Sequence, residues 1–216
     1  MSVIAQYQVS QSNPSTVGGT NTTLQYFTSN PPQSLWNSGV TGVNAPITNT
    51  ELGQTPSSTS ALGQLDFPQF ASLKGNRFSI IATGNAVASA STPTIAPIIQ
   101  VNKSTNLASP SYATLAGGVA SNASVANKTI SWSIEADIVY DPTAGTIGGF
   151  QKYSYVNQAS GGTDSSQIEV AITSITGLAS VGVQGGPAFG FLVGIVFSAG
   201  TSGNSANLFE FKIVQW

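Results

Sequence analysis

The chain has 216 residues with 6 Lys plus Arg, 8 Asp plus Glu, no His and no Cys, for a formal net charge of -2. Charged side chains are 6% of the sequence, against roughly 25% in average soluble domains, and the missing imidazole and thiol exclude Cys proteases, His-dependent triads, Cys/His zinc sites and disulfide scaffolds. Six scattered cations do not form the basic cluster that phosphate neutralisation requires, which argues against nucleic-acid binding.

The opening MSVIAQYQVSQSN has neither a basic n-region nor an apolar h-region, so no secretory signal is expected. Within it Val3, Ala5, Tyr7 and Val9 alternate with polar Gln6, Gln8 and Ser10, the period of two of a half-buried strand. From Gln8 to Leu65 the chain is dominated by Ser, Thr, Asn, Gln, Gly and Pro, and its only charge is Glu51. Such a stretch has many turn formers and little to bury. Its apolar islands after Val9 are Leu24 to Phe27, Leu35-Trp36 and Val40 to Val43. The expected organisation is an extended N-terminal arm with short strands over residues 1–65 and a folded domain over 66–216. The pattern leaves open whether the arm pairs with its own domain, a sister subunit or another protein.

Beyond Asp66 the signals are strand, turn, strand. Arg77 to Thr83, Thr94 to Val101, Lys128 to Tyr140, Phe150 to Asn157, Gln167 to Thr176, Pro187 to Ser198 and Asn207 to Trp216 are rich in β-branched or aromatic residues, with no competing helical period. In Lys128 to Tyr140, the residues Ile130, Trp132, Ile134, Ala136, Ile138 and Tyr140 fall on one face and Thr129, Ser131, Ser133, Glu135 and Asp137 on the other. That strand predicts one packed face and one wet face. Pro187 to Ser198 has no polar face, so it is expected in the centre of a sheet or against a subunit interface. The apolar run Pro187 to Ala199 is also well short of the roughly 20 residues that span a bilayer as a helix, and Gly190 and Gly194 break it. Asp141-Pro142-Thr143-Ala144-Gly145 predicts a tight reversal after the long strand. The fold class expected is therefore all-β, a jelly-roll-like β-sandwich with an extended N-terminal arm. An immunoglobulin-like sandwich is the rival, but this chain offers no Cys pair or positioned Trp for it.

Chemistry-bearing clusters are few. Glu135 and Asp137, at i and i+2, share a face about 6.8 Å apart along the strand, a spacing that could bracket a sugar or a cation; a solvated strand face accounts for them more simply. Tyr153, Tyr155 and Phe150 could stack on sugars, though core packing or subunit contact is the simpler assignment. There is no GxSxG, SxxK, Walker or dinucleotide-binding motif. Sequons at Asn21, Asn102, Asn122 and Asn127 are expected by chance in so Ser/Thr-rich a chain. No catalytic residue, cofactor, metal or membrane segment is assigned. A mean hydropathy of +0.12 with 14 charged residues favours a surface covered by permanent assembly, because neutral hydrogen-bonding groups are cheaper to bury than charges.

The composition, the arm opening MSVIAQYQVSQSNPSTVGGTN, the segment WSIEADIVYDPTAGTIGGF and the closing LFEFKIVQW together resemble tailed-bacteriophage head decoration, or cement, proteins. The resemblance implies a homotrimer made in the host bacterial cytoplasm and placed on the virion capsid surface, with the major capsid protein as partner. It implies a β-rich knob facing outward and an arm that staples neighbouring capsomers. Val3, Ala5, Tyr7, Val9, Tyr26, Phe27 and Trp36 are the corresponding candidates for capsid or subunit contact. The alternative expectation is a receptor-binding or tail-fibre head that recognises cell-surface carbohydrate.

Overall fold

The computed structural model describes residues 2–8, 15–18, 24–27, 64–65, 77–89, 92–102, 112–116, 118–121, 126–141, 144–159, 162–177, 189–201 and 203–216. These residues form strands and connecting turns. In chain order the strands are β1 (Ser2–Gln8), β2 (Ser15–Gly18), β3 (Gln25–Tyr26), β4 (Gln64–Leu65), β5 (Arg77–Val87), β6 (Ile95–Asn102), β7 (Tyr112–Thr114), β8 (Thr129–Asp141), β9 (Thr146–Ala159), β10 (Gly162–Ile175), β11 (Phe189–Phe197) and β12 (Ser205–Gln215). Among the described residues no helix is long and apolar enough to cross a membrane.

The strands make two antiparallel sheets. One runs β1-β12-β5-β8-β9-β10, with β2 also on β12; the other runs β3-β11-β6-β7, with β4 also on β11. One apolar core lies between them, drawing Ile80, Trp132, Ile134, Phe211 and Ile213 from the first sheet and Ile95, Ile99, Phe191, Val193 and Phe197 from the second. The chain is thus an all-β sandwich. Its alternating sequences explain the arrangement directly, since each strand of period two has one face to bury and the sandwich supplies one surface per sheet.

The long strand β8 behaves as its sequence predicts: Ile130, Trp132, Ile134, Ala136, Ile138 and Tyr140 are all buried, while Ser131, Glu135 and Val139 are exposed. The reversal after it also forms. The Asp141 carboxylate accepts a hydrogen bond from the Ala144 N–H at 3.0 Å, and Gly145 takes a φ of 61°, the left-handed conformation that a side chain would resist. β11 is a central strand, flanked by β6 on one side and by β3 and β4 on the other. Phe191, Val193, Ile195 and Phe197 are buried on one face and Gly194 is buried on the other, which accounts for its lack of a polar face.

The N-terminal segment joins these sheets at their edges. β1 lies antiparallel to the second half of β12, with Ser2 opposite Gln215 and Gln8 opposite Glu210. β2 continues the same edge along the first half, with Ser15 opposite Leu208 and Gly18 opposite Ser205. β3 and β4 do the equivalent for β11. Of the three possible partners left open by the sequence, the chain's own C-terminal strand is the one paired with β1 here.

Candidate functional site

The outer face of the larger sheet gathers most of the described charges, and strand register alone brings them together. Lys212, Ile81, Glu135, Lys152 and Glu169 stand opposite one another across β12, β5, β8, β9 and β10. The next row is Glu210, Thr83, Ser133, Ser154 and Gln167. Between β8 and β10 these rows line a shallow depression of about 530 Å³, bounded by Ser133, Glu135, Lys152, Ser154, Gln167 and Glu169. One row of its lining sets a cation between two carboxylates, the other row is neutral and polar, and Tyr153 and Ile168 also border it. The Lys152 ammonium lies 5.2 Å from the centre of the Phe150 ring, a cation–π contact on the same strand face.

Asp137 stands apart from this row. Its carboxylate is 3.5 Å from the Arg77 guanidinium and accepts a hydrogen bond from the Ser79 hydroxyl. The Trp216 indole N–H donates to the Ser79 oxygen at 2.8 Å, and Arg77 lies 5.7 Å from the Trp216 ring centre. The cluster ties the end of β12 to β5 and β8. As Arg77 is 55% exposed, the ion pair itself contributes at most about 1 kcal/mol. Glu135 is exposed and Asp137 is held by these partners, so the two carboxylates share a face but occupy different settings. Among the described residues no three His, Cys, Asp or Glu side chains gather as metal ligands.

The tyrosines considered as a sugar platform lie in the core. Tyr153 and Tyr155 are 1% and 2% exposed on the inner face of β9, their rings stacked with centroids 6.4 Å apart. The Tyr155 hydroxyl donates to the Val119 carbonyl, and the Gln151 amide donates to the Tyr153 oxygen at 2.6 Å. Phe150, on the opposite face of β9, is the one of the three that lies on the sheet's outer side.

Burial pushes the Tyr153 phenol up to about 12, against the opposing effect of its hydrogen bonds with the Val119 backbone and Gln151. Tyr155 is raised by burial and by Tyr153 beside it; Tyr140 is raised by burial and by the Asp141 charge. An unfolded chain ionises such phenols near pH 10, while the folded chain retains the Tyr153 proton to about pH 12. The stability contributed by the protonated Tyr153 phenol is therefore fully present below pH 10 and is lost as pH rises from 10 towards 12. A melting series should show a plateau through neutral pH, where no His or Cys titrates, and a fall beginning near pH 10. Tyr153→Phe should flatten that fall.

Of the predicted contact residues, Val3, Ala5 and Tyr7 stand opposite Val214, Ile213 and Phe211. Tyr26 stands opposite Gly194. Phe27 is 1% exposed, stacked on Trp132 at 5.8 Å between ring centres, with its N–H bonded to the Val193 carbonyl at 3.0 Å. Val9 and Trp36 lie outside the described residues. The polar depression was not anticipated from sequence. Each of its strands shows only an unremarkable polar face, and the grouping exists through pairings between residues 135, 152 and 169. Compared with known proteins, the chain matches no family model and no curated sequence.

Proposed function

We propose that the chain is a structural virion protein that decorates and cements the exterior of a phage head, with the major capsid protein as its partner and copies of itself as neighbours. The observation that supports this reading most is the way its N-terminal segment is held. β1 and β2 lie along a single edge of β12 through a main-chain ladder, and this kind of attachment can be made to another sheet edge with the same chemistry. A protein that fastens neighbouring capsomers needs such a segment. The small number of charges supports the reading too, because neutral hydrogen-bonding surface can be covered at low desolvation cost. Each attachment can be weak when several arms act together, since linked contacts raise one another's effective concentration.

The test is removal of residues 1–9, a deletion that spares β2, β3 and the core residue Phe27. The truncated protein should keep its cooperative melt but lose occupancy of purified decoration-free heads; undiminished saturation of the heads would overturn the proposal. In purified particles, the cement reading further requires a copy number comparable with that of the capsid protein.

A second reading, a receptor-binding head for cell-surface carbohydrate, draws on the polar depression around Ser133, Glu135, Lys152 and Gln167. It requires glycan binding by the isolated protein together with a low copy number per particle.

A further inference from the structure

The two sheets treat their edges unequally. The edge of β12 is covered by β1 and β2, of 7 and 4 residues, and that of β11 by β3 and β4, of 2 residues each. The far edge of the smaller sheet is β7, with 3 residues. The far edge of the larger sheet is β10, with 14 residues, and among the described residues only β9 pairs with it. Proteins guard such edges by making them short, by placing Lys or Pro on them, or by interrupting them with bulges. β10 has the sequence GTDSSQIEVAITSI, whose only charges are Asp164 and Glu169 and which has no Lys, Arg or Pro. Its register against β9 is unbroken from Gly162 to Ile172, and the irregularity falls between Ile172 and Ile175, at one end. Ile168 and Val170, on the strand's inner side, are only partly buried.

We infer that the edge of β10 opposite β9, unpaired among the described residues, is an interface between two copies of this chain, paired antiparallel about a twofold axis at Ile168. The strand's own sequence supports a second copy as the occupant. With Ile168 opposite itself, Gln167 faces Glu169 of the other copy twice over, an amide against a carboxylate. Ser165 faces Ala171, and Ser166 faces Val170. No like charges stand directly opposite, which in an antiparallel ladder would be unfavourable. This register overlaps positions 162–174 and joins the two larger sheets into one continuous sheet. Ile168 and Val170 then gain cover from the partner strand. The contact is isologous, so it joins copies in pairs and is distinct from any threefold contact, where three edges cannot pair mutually. It goes beyond the cement proposal and does not depend on it.

The test uses the full chain. Sedimentation equilibrium should give a mass that is an even multiple of the protomer. Ser165 and Ala171 are exposed on the outer face, so the double variant Ser165→Lys/Ala171→Lys should fold normally while setting lysines against lysines at two symmetric places. It should weaken the association at least about tenfold, the effect of roughly 1.4 kcal/mol. The variant Ser165→Lys/Ala171→Glu sets opposite charges at the same places and should restore pairing. Because the chain has no cysteine, Ile168→Cys provides a direct reading: mild oxidation should cross-link two chains, as paired Cα atoms at about 4.5–5.5 Å are within disulfide reach. The exposed control Val156→Cys, one strand inward, should not cross-link. A monomeric wild type, an association indifferent to the two lysines, or cross-linking at 156 and not at 168 would each overturn the inference. Capsid occupancy reads the arm rather than β10, so failure here and failure of the cement proposal are separately visible.

Discussion

A single methyl group added at position 84 is expected to destabilise the sandwich by about 3 kcal/mol, the upper part of the range for overpacking a close-packed core. Gly84 stands in β5 between Leu208 on β12 and Trp132 on β8. A Cβ there would lie 2.0 Å from the Asn207 carbonyl oxygen and 2.5 Å from the nearest Trp132 ring carbon. The first obstacle is backbone in the neighbouring strand, which cannot move aside without breaking the ladder. The second is a buried indole on which the Phe27 ring is stacked. Gly84→Ala should shift the denaturant midpoint accordingly, and Gly84→Val should leave little folded protein. An alanine variant within about 0.5 kcal/mol of wild type, the ordinary scale for a surface substitution, would show that β5 and β8 are not packed as described.

Phe27→Ala should cost about 3–5 kcal/mol, the usual penalty for removing a fully buried Phe ring. The effect is large for a residue within so polar a segment. Phe27 connects the N-terminal segment to the core twice, through its ring on Trp132 and through its N–H on Val193. The substitution removes the first link and leaves the second, so the segment should become more sensitive to proteolysis at the same time as the melt shifts. Because the two rings touch, Phe27→Ala and Trp132→Ala should not be additive. A double-mutant cycle should give a coupling of about 0.5–3 kcal/mol. Zero coupling would mean that the stack contributes nothing beyond each ring's separate burial.

The same residue shows what sequence patterning does and does not convey. Leu24 to Phe27 stands out as an apolar island in a Ser/Thr-rich stretch, which is enough to predict that it is buried against something. Its partner, Trp132, lies more than a hundred positions away and is identified only by packing. Tyr153 and Tyr155 illustrate the converse. Alternation placed them on one face of a strand, and an exposed sugar platform and a core layer have the same alternation. The adjacent face of β8, with Ile134 and Trp132 opposite them, determines that they are core.

The strands that sequence did not single out share a cause. β2, β4 and β7 are two to four residues long, too short to express a period. They are strands because a longer neighbour offers a ladder. β10 begins at Gly162, earlier than the apolar alternation starting at Gln167 suggests, because Gly162 to Ser166 pairs with β9 while contributing few apolar groups. Edge strands need less hydrophobic pattern than central ones, so their ends are poorly marked.

From its residues alone, this chain is committed to β-structure, to an apolar inner face on each long strand, to a reversal at Asp141 and to a weakly charged surface without His or Cys chemistry. Each of these follows from local properties: the two-residue period, turn stereochemistry and the ionisable groups available. Strand order, the folding of β1 and β2 onto β12, the row of Glu135, Lys152 and Glu169, and the place of β10 beside β9 at the end of the larger sheet were decided by tertiary structure. Main-chain ladders are almost indifferent to side-chain identity, so a strand's sequence specifies which face it buries far more strongly than which neighbour it takes. Neighbours are chosen collectively, by the one arrangement that closes the common core.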